Sequence, residues 1–111
     1  MIAFDEDLAG RVREVLADQS GVSEKRMFGG LAWLVHGHMA VVALNGGGLM
    51  VRVARADHEA MLTEPGTATM VMRGRPLRGW ITVAEHACAT RPTLATWVRR
   101  GLTYALTLPG R

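Results

Sequence analysis

Between residues 25 and 54 short apolar runs are separated by tight, glycine-bearing reversals, and this punctuation constrains the fold more than any other feature. Residues 25–28 running into 31–36, then 39–44, then 49–54, read as three strands. His36-Gly37-His38 fits a tight reversal between the first two. Asn45-Gly46-Gly47-Gly48 supplies the positive φ angles that the next hairpin requires. In the stretch MFGGLAWLV, the pair Gly29-Gly30 reads as a bend or bulge where the incoming strand turns into the sheet. Met27, Phe28 and alternate residues among Leu31, Trp33 and Val35 then cover a core. The pair is not a phosphate cradle, because strand-forming residues flank it and no helix begins there.

Helices flank these strands. Residues 5–18 place Leu8, Val12, Val15 and Leu16 on one stripe, with Asp5, Glu6 and Asp7 at the end where acids complement the helix dipole. Asp57 to Thr63 read as a short helix stopped by Pro65-Gly66. Two more strands, about 68–73 and 79–84, surround a turn at Gly74-Arg75-Pro76-Leu77. From Pro92 to Leu108 a second strong helix carries Leu94, Trp97, Val98, Gly101, Leu102 and Ala105 on one face. The expected fold is α+β: an antiparallel sheet of about five strands packed with helices, in the order α-β-β-β-α-β-β-α. It forms a single domain over residues 1–111.

An apolar content of 49% supplies a core without disulfide or metal staples. The single cysteine, Cys88, cannot form an intrachain disulfide, which fits a reducing compartment. No signal peptide is read at the N-terminus, and the longest apolar run, Met39 to Leu44, is far below the roughly 18 residues of a membrane span. A soluble cytoplasmic domain without membrane association is expected. The formal charge of +3 is unevenly spread. Six Lys/Arg stand against nine Asp/Glu up to Pro65, and seven Arg against Glu85 alone from Gly66 onward. A basic half suits nucleic acid or an acidic partner, and equally a solvated face.

Candidate sites divide by chemistry. Asn45-Gly46-Gly47-Gly48-Leu49 resembles a glycine phosphate loop, but a strand follows it and no Lys-Ser/Thr pair is present, so it reads as a hairpin. His36 and His38 lack the third and fourth ligands a metal site needs, and His58, His86 and Cys88 have no spacing to complete one. Arg73-Gly74-Arg75-Pro76 matches the core by which AT-hook peptides enter the minor groove, yet it lies between two apparent strands and reads as a folded turn. Arg73, Arg75, Arg78, Arg99 and Arg100 are the candidates for a shared partner or nucleic-acid surface, whose phosphate contacts would be salt-dependent. Ser20 and Ser23 sit in a loop without an elbow motif, and Cys88 and His86 are too close in sequence to act as nucleophile and base. No catalytic, cofactor or metal residues are assigned, and the domain is read as non-enzymatic. The seven methionines read as adaptable core filling, some of them at a partner surface.

Six pieces in register carry a resemblance. They are Arg26-Met27-Phe28-Gly29-Gly30-Leu31, Gly37-x-Met39-Ala40, Gly48-Leu49-Met50-Val51-Arg52-Val53, Glu64-Pro65-Gly66 with Met70, Gly74-Arg75-Pro76-Leu77-Arg78-Gly79-Trp80, and Trp97-Val98-x-x-Gly101-Leu102-x-Tyr104-Ala105 with Leu108-Pro109. The chain resembles the TfoX N-terminal domain family, the first domain of TfoX/Sxy competence regulators. The resemblance implies an α+β fold similar to the secretion-chaperone-like and YgaC-like folds. It also implies a regulatory, protein-interaction role in transcription, since two-domain relatives promote DNA-uptake genes by assisting the cyclic-AMP receptor protein. Those relatives need a second, helical domain outside the pieces matched here, so the competence role does not transfer with the resemblance. A protein partner in the transcription machinery is expected, with homodimerisation through a sheet edge and direct nucleic-acid binding by the basic half as further readings. Relatives often have Asn at the positions of His36 and His38, and Cys at that of Val41.

Overall fold

The computed structural model describes residues 5–27 and 29–109. These form α1 (Glu6–Leu16), β1 (Val22–Met27), β2 (Gly30–Val35), β3 (His38–Leu44), β4 (Leu49–Arg52), α2 (His58–Met61), β5 (Thr67–Met72), β6 (Arg75–Val83) and α3 (Arg91–Leu106). Short 3₁₀ turns, Arg55–Asp57 and Glu85–Cys88, precede α2 and α3. The strands make one antiparallel sheet in the order β1-β2-β3-β4-β6-β5.

The helix ends follow local chemistry. The Asp5 carboxylate accepts from the Leu8 N–H at 3.0 Å and starts α1. Thr90 caps α3 in the same manner, and Pro92 occupies the first turn. Leu8, Val12 and Leu16 of α1 and Leu94, Trp97 and Val98 of α3 meet one face of the sheet, where Leu31, Trp33, Val41, Leu49, Val51 and Ile81 are buried. Val15 and Leu102 pack at the margin of that core.

The sheet has six strands, not the five expected. Gly29-Gly30 is not a bend within one strand. Met27 pairs with Gly30 and Val22 with Val35, so the chain reverses completely and β1 forms a hairpin with β2. Gly29, at φ 71°, supplies the left-handed backbone that such a reversal needs. Leu31, Trp33 and Val35 are buried on the helix side as expected, whereas Met27 joins a cluster on the opposite face. Phe28 lies outside the described residues.

The second correction concerns β6. The turn is Arg73-Gly74, and Arg75, Pro76 and Leu77 already belong to the strand. Thr69 pairs with Ile81 but Met70 pairs with Leu77, so Arg78, Gly79 and Trp80 form a bulge against β5. The segment before this bulge pairs with β5 alone, and β4 joins only from Trp80 onward. Pro76 is tolerated there because one side of the strand has no neighbour requiring its N–H. The Asn45–Gly48 segment is the expected hairpin, with the Leu44 N–H donating to the Gly48 carbonyl at 2.8 Å.

Candidate interaction face and clefts

All three helices pack through the helix side of the sheet. The other side, the open face, carries a cluster that among the described residues is made only of strand residues. Ala32, Val42 and Met50 are buried at its centre. Met27, Leu34, Met39, Leu44, Met70 and Trp80 surround them, each half-buried. A sheet face left to solvent normally alternates with polar residues. This one does not. Four of its side chains are methionines, whose flexible, polarisable thioethers adapt to irregular partner surfaces.

A groove of about 290 Å³ runs along this face, lined by Lys25 and Met27 of β1, Leu34 of β2, Met39 of β3, Arg52 of β4 and Trp80 of β6. Side chains from β1 and β6 thus reach one groove. The Arg52 guanidinium lies 5.6 Å from the Trp80 ring centroid and 5.5 Å from that of Tyr104 on α3. It therefore couples an open-face aromatic to the helix layer through two cation–π contacts. Cationic Lys25 and Arg52 flank the groove, so its apolar floor has a basic rim.

The five arginines singled out from sequence fall in three places. Arg73 and Arg75 are exposed at the tip of the β5–β6 hairpin. Arg78 lines a shallow depression with His58, Glu59, Thr69 and Pro76. Arg99 and Arg100 line a cleft of about 510 Å³ between α3 and the segment joining β4 to α2, beside Asp57, Met61 and Tyr104. Arg100 is already engaged: it donates to Glu64 at 2.7 Å and stands 4.5 Å from the Trp97 ring centroid. An arginine held by a carboxylate and an indole has less to offer a phosphate than an unpaired one.

The remaining chemistry-bearing residues have structural partners. His58 is 2% exposed; its Nδ1 accepts from the Gly79 N–H and its Nε2 meets Thr69 Oγ1, both at 2.9 Å. The backbone donor fixes the tautomer, leaving the proton on Nε2 to be donated to the hydroxyl. This histidine ties α2 to the β6 bulge. His36 occupies a turn at φ 50°, and the His38 ring is half-buried and hydrogen-bonds the Pro109 carbonyl. Cys88 is buried and its thiol is pushed up by desolvation, so it is a poor nucleophile at neutral pH. Among the described residues no three His, Cys, Asp or Glu side chains converge on a point where a metal could sit. No helix among them is long and apolar enough to cross a membrane.

The open face had a sequence signal that the glycine turns obscured. Met39 to Leu44 and Leu49 to Val51 are unbroken apolar runs, the pattern of strands covered on both sides rather than one. No curated protein is similar enough to the chain to match it. The family model described as the TfoX N-terminal domain matches residues 14–105, which contain the whole sheet, α2 and nearly all of α3. With that match over most of its length, the chain belongs to the TfoX N-terminal domain family.

Proposed function

We propose that this is a non-enzymatic regulatory domain that acts by binding a protein of the transcription machinery on its open face. The observation supporting the reading is the methionine-rich apolar cluster on the side of the sheet that no helix among the described residues covers. Large contiguous apolar patches with polar rims mark interaction sites on soluble domains. Lys25 and Arg52 at the groove margin favour a partner surface with acidic residues around an apolar anchor. The side chains most able to fill a partner pocket are Trp80 and Met39, since tryptophan is a frequent hot-spot anchor and methionine is enriched at interfaces. Direct nucleic-acid binding through Arg73, Arg75 and Arg78 is the second reading, favoured by their shared exposure on and beside one hairpin.

The test is affinity capture from the native host with the wild-type chain, Met39→Lys and the double variant Arg75→Ala/Arg78→Ala. The open-face reading expects Met39→Lys to lose captured RNA polymerase or transcription factor at least tenfold, with its fold intact by circular dichroism. Equal capture by Met39→Lys would sink it. Loss in the arginine variant alone, together with salt-dependent DNA binding by the wild type, would favour the second reading.

A further inference from the structure

The sheet has two edges with opposite characters. Edge strand β1 presents Ser23, Glu24, Lys25 and Arg26, all exposed, and its charges oppose the approach of another strand. Edge strand β5 reads Thr67-Ala68-Thr69-Met70-Val71-Met72 and holds no charge and no proline. Among the described residues it pairs only with β6, so there the outward backbone groups of β5 have no strand partner in the sheet. Val71, 57% exposed, is a large apolar side chain one residue from the end of this unprotected edge.

We propose that two copies of this chain pair antiparallel, β5 to β5, into a closed dimer with a continuous twelve-stranded sheet. An antiparallel edge needs only self-complementarity, and an uncharged run meets its own copy without opposing like charges. A symmetric axis through Thr69 sets Val71 of each copy beside Thr67 of the other and withdraws it from water. The alternative mating, β5 to the β1 edge of another copy, would propagate into an open filament. The Glu24-Lys25-Arg26 run on β1 works against that arrangement and in favour of closure. The two-fold axis stands perpendicular to the sheet, so both helix layers fall on one side and both methionine-rich faces on the other. This deepens the protein-interaction reading by presenting the open face in duplicate.

Six-residue strands bury less area than a standard interface, so the dimer is weak, with a dissociation constant on the order of 10–100 µM. Sedimentation velocity from about 10 µM to about 1 mM measures it, with hydrogen exchange on the same samples. The wild type should shift to dimer mass, with β5 amides gaining protection as concentration rises. Val71→Lys, exposed enough to leave the fold intact, should raise the dissociation constant at least tenfold; Ser23→Lys on β1 should leave it unchanged. A wild type that stays monomeric at about 1 mM, or a Val71→Lys chain that dimerises as well as wild type, would overturn the proposal. Capture by the open face is read at concentrations where the chain is monomeric, so either result leaves that reading to stand or fall separately.

Discussion

Glu24 shows how much one exposed residue can hold. Its carboxylate receives two hydrogen bonds from the Arg13 guanidinium, at 2.6 and 2.8 Å, and a third from the Trp33 indole N–H at 3.0 Å. Arg13 belongs to α1, Glu24 to β1 and Trp33 to β2, so the group fastens a helix to a hairpin. Trp33 is 1% exposed, and without Glu24 its N–H would be a buried donor lacking an acceptor, at a cost of about 1–3 kcal/mol. The Arg13 hydrogen bonds, helped by the indole, hold the Glu24 carboxyl below the usual carboxylate value, against the opposing effect of its partial desolvation. A carboxyl depressed in the folded state binds its proton more readily when unfolded. Its stabilisation is therefore present above the ordinary carboxylate pKa and is lost as pH falls through the folded value. Glu24→Gln keeps an acceptor for Trp33 but loses the charge. Its stability deficit, measured by urea unfolding, should be largest near neutrality and should shrink as pH is lowered from about 6 to about 3. A deficit independent of pH would show that the charge contributes nothing. A single bent strand over residues 25–36 hides this group, because Glu24 and Trp33 face each other only across a hairpin.

At the scale of elements, the same hairpin explains why two glycines, Gly29 and Gly30, stand side by side. Gly29 carries the left-handed angle, and Gly30 does a different job. A Cβ on Gly30 would run into the Ala43 carbonyl of β3, so the absence of a side chain lets the β1–β2 hairpin lie flat against its neighbour. Gly30→Val should lose at least about 2 kcal/mol, roughly a 10 °C fall in melting temperature by calorimetry, because backbone rather than a flexible side chain must yield. An unchanged melting temperature would contradict the close approach. Gly101 on α3 serves likewise, since a Cβ there would meet the Ala40 carbonyl where helix and sheet come together. Periodicity recovered α1 and α3 well, as amphipathic stripes repeat over several turns. It failed where single residues decide the path. Gly29 reverses the chain beside a glycine that looks like its twin, and Pro76 has the look of a turn residue while lying in a strand segment paired on one side.

On the scale of the whole molecule, the order of elements was legible because the turn chemistry at His36-Gly37 and Asn45–Gly48 is explicit. What the chain leaves uncovered was less so. A one-dimensional pattern says that β3 and β4 are apolar on both sides, but only the placement of all three helices on one side identifies the other as open. The same placement sorts the five arginines, which the sequence offers as one set, among a hairpin tip, a depression and a cleft. Net charge is additive along a chain and carries no information about which residues share a surface.

The sheet also divides the three tryptophans. Trp33 and Trp97 are sealed between sheet and helices, while Trp80 lies half-buried on the open face, beside the Arg52 guanidinium. Two of the fluorophores thus report on folding and the third on whatever arrives at the groove. Acrylamide should quench a single class of emission in the free domain, and that class should become protected when a partner docks. Quenching of all three together would contradict the burial of Trp33 and Trp97, and the absence of quenching would place Trp80 out of reach of the surface. Replacing Trp80 by Phe would leave a protein dark to docking but still bright to unfolding, so the two events can be timed separately in one unlabelled chain.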